Sequence, residues 1–227
     1  MPGSSRPTNK LFVEGNNDLH TVLHVVMKLR PDFNHDPESW FNGFKIDDCK
    51  NDQGALKAFC LAARSSVGHY GLVIDADSVP HKGLQDRWDS IVEGVHSYPE
   101  LADVLFPAVP PNEGWISVIP GGPTVGAWIM PDNQHTGAIE AFLTPLVPSG
   151  DQLWTYADTV ISTVQTPPYN ASFKAKDATK AKLHSWLAWR EEPGRPYGRA
   201  IDCDDLHVSD DVTASTFVDW FERLFTT

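Results

Sequence analysis

Asp75 and Asp77 stand two residues apart where the apolar run Tyr70–Ile74 (YGLVI) stops. If extended backbone continues through them, both side chains point to one side. Two carboxylates held together repel, and a shared cation offsets that repulsion. Oxygen ligands with no soft ligand beside them suit Mg²⁺ or Mn²⁺. Alone, the pair reads better as a solvated turn in which an Asp caps the next element. Glu14 changes the balance. It too closes a short apolar strand, Lys10–Glu14 (KLFVE), directly before Gly15. Parallel α/β sheets bind ligands outside the carboxyl ends of their strands, so adjacent strands ending in Glu14 and Asp75 would gather three carboxylates at one crevice.

Asp18, four residues after Glu14, has two readings: an acid capping or lying in the first turn of a helix, or a ligand to a second cation. Glu140 likewise reads as a first-turn acid beside a helix dipole or as a further ligand. Positive charge is unevenly placed. No Lys or Arg occurs between Trp88 and Phe173, and then Lys174, Lys176, Lys180 and Lys182 follow closely, with Arg190, Arg195 and Arg199 behind them. This segment is either a phosphate-facing wall or a solvated helix face. Lys180 and Lys182 cannot face one phosphate together, because helical positions two apart diverge. Lys180 is the first choice, since Lys176 and His184 extend its face, and Lys182 is the second.

The elements that must position these groups follow from periodicity. Asp18–Leu29 carries Leu19, Val22, Leu23, Val26 and Met27 at helical spacing. A strand is expected near Phe44–Ile46, a helix near 54–64, a buried strand over Tyr70–Ile74 and a helix over 84–95. Strands over Trp115–Ile119 and Val125–Met130 flank a Pro-Gly-Gly-Pro turn. Helices are expected over 137–146, 152–164, 177–190 and 213–225. Alternation first and helices afterwards predict an α/β fold, a mainly parallel sheet flanked by helices with a helical C-terminal part. One domain over 1–227 is expected, with a core of about 10–145 and a helical part of about 146–227. Residues 1–9 are expected to lack regular structure.

A formal charge of −12 argues against a protein that coats nucleic acid by charge alone, but not against an enzyme that meets phosphates through a cation. The hydrophobic fraction of 41% allows a sizeable core. Cys49, Cys60 and Cys203 make neither a disulfide framework nor a zinc pattern, which suits a reducing cytoplasm. No apolar run is long enough for a membrane span. His20 and His24 lie one helical turn apart but lack an HExxH context and read as a surface stripe. His184 could touch a phosphate or pack on Trp186 or Trp189. Trp128, Trp186 and Trp189 could stack bases, although core packing is the stronger reading.

Val13-Glu14-Gly15-Asn16-Asn17-Asp18 resembles the VEGxxD first motif of Toprim domains, and Leu72-Val73-Ile74-Asp75-Ala76-Asp77 resembles their hydrophobic-DxD second motif. The segments 126–133, 137–143 and 182–189 resemble a family of small prokaryotic Toprim-like proteins, related to the Toprim nuclease domain of OLD-family proteins. The resemblance implies a Toprim-like (Rossmann-like) fold, with Glu14, Asp75 and Asp77 serving metal-dependent phosphodiester chemistry. It also implies that Asp18 helps hold a second metal and that a lysine well after the DxD pair, Lys180 or Lys182, assists catalysis. Many Toprim proteins carry a third acid just after the DxD pair. Here Ser78, Val79 and Pro80 follow, and Glu140 is the candidate replacement.

The leading expectation is therefore a Mg²⁺- or Mn²⁺-dependent nuclease acting on DNA or RNA. Glu14 would be ligand or general base, Asp75 and Asp77 ligands, and a lysine the charge stabiliser. The alternative is a non-catalytic module that docks a partner such as a separately encoded ATPase, since the chain has no Walker motif. Nucleotidyl transfer, as in primases, ranks third.

Overall fold

The computed structural model describes residues 9–31, 45–77 and 83–225. The irregular start expected over 1–8, Phe44 of the second expected strand, and the Ser78–Pro80 loop lie outside the described residues.

Five strands form one sheet: β1 (Lys10–Val13), β2 (Lys45–Asp48), β3 (His69–Asp75), β4 (Trp115–Val118) and β5 (Thr124–Met130). Their order is β2-β1-β3-β5-β4, parallel throughout except for β4, which runs antiparallel to β5. Among the described residues eight α-helices accompany it: α1 (Asn16–Leu29), α2 (Asp52–Ala62), α3 (Leu84–His96), α4 (Ile139–Leu143), α5 (Gln152–Val164), α6 (Ala178–Leu187), α7 (Tyr197–Asp202) and α8 (Val212–Phe225). The chain is thus an α/β protein with a mainly parallel sheet, flanking helices and a helical C-terminal part.

Strand alternation divides the core between the two faces of the sheet. Leu11, Val13, Val73, Trp128 and Met130 face one side, where α1, α6, α7 and α8 cover them. Phe12, Leu72, Ile74, Ala127 and Ile129 face the other, where α2 and α3 contribute Phe59, Trp88, Ile91 and Val95. Helix α8 lies close on the sheet because Gly71 and Gly126, paired in register across β3 and β5, leave room for Leu224. A Cβ on Gly71 would stand 2.9 Å from a Leu224 methyl. Trp128 and Trp186 are fully buried in this layer, so the core reading of both holds and neither offers a face to a base.

Strands β2 and β3 flank β1 on opposite sides, although α1 and α2 connect the three in sequence. A parallel sheet opens a crevice at such a switch, at the carboxyl ends of the strands. The residues leaving β1 and β3 there are Glu14 and Asp75.

Candidate metal centre

Strand β1 is buried through Leu11–Val13 and delivers Glu14 to its carboxyl end. Gly15 then N-caps α1 without a side-chain hydrogen bond, and Asp18 lies buried in the first turn, facing the positive end of the helix. Asp18 is therefore a first-turn acid and not the cap. Strand β3 pairs with β1 in register, and the Asp75 N–H donates to Glu14 Oε1 at 2.8 Å.

The pleat does not continue through the second carboxylate. β3 ends at Asp75, and Asp77 takes a left-handed backbone with φ 60°. Its N–H and C=O bond to Gly137 at 2.8 and 2.9 Å. Same-side placement by strand alternation is thus corrected: Asp77 reaches the crevice through a turn pinned to the 137 loop. That pinning also brings in Glu140, which occupies the first turn of α4 and is 5% exposed.

Glu14, Asp18, Asp75, Asp77, Glu140 and Lys180 all line one cavity of about 780 Å³. Lys180 Nζ stands 3.2 Å from Glu140 Oε1. Lys176 and Lys50 stand on the same cavity wall. Lys182 does not. Its Nζ pairs with Asp158 at 2.9 Å and lies 4.0 Å from the Trp154 ring centroid, on the α5 side of α6. Two helical positions turn the side chain to the far side, which removes Lys182 from the site.

Burial without compensation sets the electrostatics. Burial pushes the Glu14 carboxyl up to about 7, opposed by the Asp75 N–H and Arg87. Burial, with Glu140 adding repulsion, raises Asp18 to about 6. Asp75 is raised well above the carboxylate range by burial and by the negative charges of Glu14, Asp18, Glu140 and Asp77. Its Oδ1 is buried without a hydrogen-bond partner among the described residues. A buried orphan acceptor ordinarily costs free energy, and a cation is the kind of partner that would satisfy it.

Several residues at the site escape sequence reasoning. Arg87 is 1% exposed and holds the acidic wall together. Its Nε donates to the Asp75 carbonyl at 2.7 Å, Nη1 to Asp52 Oδ2 at 2.9 Å and Nη2 to Asp77 Oδ2 at 3.1 Å. A signal existed, since Arg87 shares the apolar stripe of Ile91 and Val95, four and eight positions on. Tyr197 Oη donates to Glu140 Oε1 at 3.1 Å and lies 3.0 Å from His184 Nε2. His184 therefore meets Tyr197 and not Trp186 or Trp189. His24 is joined to Asp202 at 2.7 Å, so α1 presents it to α7 and not to solvent alone.

Among the described residues no three His, Cys, Asp or Glu side chains form a closed ligand group. The carboxylates share a cavity, but Asp77 leans on Arg87, Glu14 on the Asp75 amide, and Glu140 on Tyr197 and Lys180. The donor set still fits a hard divalent cation: it is all oxygen, and its innermost member has an unused buried lone pair.

No curated protein and no solved structure matches the chain. The family described as "Protein of unknown function (DUF3226)" matches residues 8–226, nearly the whole sequence, and the chain belongs to that family.

Proposed function

We propose that the chain is a divalent-metal-dependent phosphodiesterase acting on nucleic acid, with Mg²⁺ or Mn²⁺ held by Asp75, Glu14 and Asp77. The observation that carries this reading is the unpartnered, buried Oδ1 of Asp75 inside a cavity walled by six further carboxylates and Lys180. The motif resemblance to Toprim domains of OLD-family nucleases supports the same assignment, with Asp18 and Glu140 on the side of a second metal.

A bound divalent cation supplies Lewis acidity toward a phosphoryl oxygen and a lowered pKa for attached water. The protein's own groups would do the rest. Asp75 and Asp77 fix the cation at the sheet edge, and Arg87 holds both in place. Glu14 would serve as a ligand or, left uncoordinated, as the base that accepts a proton from the attacking water. Lys180 neutralises charge developing on the phosphate. Lys50 and Lys176 give an otherwise acidic surface some local attraction for a polyanion.

The alternative, a module that docks a separately encoded ATPase, expects a plugged crevice. A cavity of about 780 Å³ favours the catalytic reading. The two are not exclusive, since an ATPase could still regulate the site. The deciding experiment incubates the purified protein with single- and double-stranded DNA and RNA in Mg²⁺ or Mn²⁺, beside Glu14→Gln. Cleavage by the parent and loss of at least a hundredfold in the variant are expected. Equal cleavage by both would assign the activity to a contaminant and remove the proposal.

A further inference from the structure

Beside the metal cavity, between α1 and α7, lies a second recess of about 230 Å³. It is lined by Asn16, Asn17, His20, His24, Tyr197 and Arg199, with Pro196 and Asp202 at its edge. The two spaces adjoin. Gly15 lines the first and Asn16 the second, and the Tyr197 hydroxyl bonds Glu140 of the metal cavity while its residue lines the recess.

The lining has a particular chemistry. His20 and His24 supply flat rings, while Tyr197 lines the recess as a buried residue. Asn16 and Asn17 supply exposed amides whose side chains have no hydrogen-bond partner among the described residues. Amides read the donor and acceptor edges of a heterocycle, and aromatic rings stack on its faces. Arg199 also lines the recess, 55% exposed and paired with the exposed Glu192 at 3.5 Å, a surface pair that a neighbouring phosphate could replace. The recess is also built to keep its shape. His24 is fixed by Asp202 at 2.7 Å, and Gly198 admits the His24 ring where a Cβ would stand 2.4 Å from it.

We infer that this recess is a nucleobase subsite, which receives the base next to the phosphodiester held at the metal centre. This rests on the phosphodiesterase reading and deepens it. A base can enter this recess only when it is unpaired, because a duplex keeps its faces stacked and its edges paired. The substrate class is therefore single-stranded nucleic acid, or an unpaired end or flap. The negative charge of the protein agrees, since a stacking site carries affinity that backbone electrostatics cannot supply here.

The test compares a fluorescent single-stranded oligonucleotide with versions carrying one abasic residue at each position in turn. Binding is read by anisotropy in Ca²⁺, and cleavage in Mg²⁺. The proteins are the parent and Asn17→Ala/His20→Ala, two exposed α1 positions outside the metal cavity, with folding checked by circular dichroism. At one register the abasic residue should weaken binding by the parent about tenfold, within the range for one stacked base. The double variant should bind the intact strand as weakly as the parent binds the abasic one, and should lose nothing more on the abasic strand. The subsite is overturned if no abasic register matters, if neither strand binds, or if the variant weakens intact and abasic strands equally. A parent that binds with this base dependence but cleaves nothing in Mg²⁺ or Mn²⁺ sinks the phosphodiesterase reading and leaves the subsite standing.

Discussion

The main-chain N–H of Asp75 donates a 2.8 Å hydrogen bond to Oε1 of Glu14, tying the carboxyl ends of β1 and β3 together through a side chain. The bond fixes one oxygen of Glu14, a residue that lines the cavity. It also sets the Glu14 carboxylate beside the Asp75 side chain, whose charge Glu14 opposes. Two acids are thus held at a separation that neither would choose in the absence of a cation.

Asp75→Asn tests that cost. Asn keeps the shape and removes the charge that burial and four acids disfavour. Its melting temperature without metal should stay within about 2 °C of the parent or rise by up to about 4 °C, the range for roughly 1 kcal/mol in a chain of this size. Divalent-cation binding by calorimetry should fall at least tenfold. A fall in melting temperature of about 10 °C would instead make Asp75 a structural residue.

The raised carboxyls of Glu14 and Asp18 give stability a definite pH slope. Both bind their protons more tightly in the folded state than at the ordinary values of 4.5 and 3.8. Their contribution is complete below about pH 4 and is lost as pH rises through about 6 to 7. Surface acids such as Asp47 and Asp132, held low by their partners, titrate below this window. Metal-free protein should therefore lose stability between about pH 4 and pH 7, by a few kcal/mol at about 1.4 kcal/mol per pKa unit. Glu14→Gln should flatten the slope. Mg²⁺ competes with these protons, so its stabilising increment, followed by differential scanning fluorimetry, should grow over the same interval. An increment that is flat with pH would mean that the cation binds elsewhere.

Arg87 is the residue whose loss should reach the site and the fold together. Arg87→Ala removes a buried guanidinium from Asp52 and Asp77, whose side chains are 25% and 44% exposed, so solvent screening keeps the cost below the roughly 3–5 kcal/mol of a fully buried pair. Arg87→Lys keeps the charge but cannot make three divergent hydrogen bonds. It should fold, with melting lowered by less than in the alanine variant, and should bind Mg²⁺ at least several-fold more weakly because Asp77 is no longer fixed. Normal Mg²⁺ affinity in the lysine variant would show that Asp77 needs no positioning.

The parts legible in the sequence were those with strong local signals. The apolar runs before Glu14 and Asp75 marked two buried strands, and α5 and α8 followed helical periodicity to within a residue. The meeting of Glu14 and Asp75 followed from two neighbouring strands that end on the same side of the sheet. What stayed hidden depended on tertiary contact. Helix α7 is only six residues long, too short for a periodic signal, yet it brings Tyr197 to Glu140. Asp77 escapes the strand pattern through a left-handed turn that is bonded to Gly137, sixty residues away. The role of Arg87 is set by three acceptors that no spacing rule connects.

The lysines supply the last prediction. Lys180 and Lys182 are two positions apart on α6 and point to different sides of it. Lys180 meets Glu140 in the cavity and is 52% exposed there, while Lys182 is taken up by Asp158 and the Trp154 face. A lysine bonded to an acidic wall at one end of an open cavity can shift to a substrate phosphate, because Glu140 keeps the Tyr197 hydroxyl as a second partner. Lys180→Ala should therefore lower turnover of a single-stranded substrate about a hundredfold, the scale of losing one charge-stabilising group, while Mg²⁺ affinity by calorimetry stays near normal. Lys182→Ala should leave turnover within about twofold and lower melting by only a few degrees, since an ion pair with the exposed Asp158 and one cation–π contact contribute little. Loss of turnover in Lys182→Ala with parent-like Lys180→Ala would place the reacting phosphate on the α5 side of α6. Parent-like rates in both would leave the site without its charge-stabilising lysine, and Lys176 and Lys50 would then be the groups to substitute.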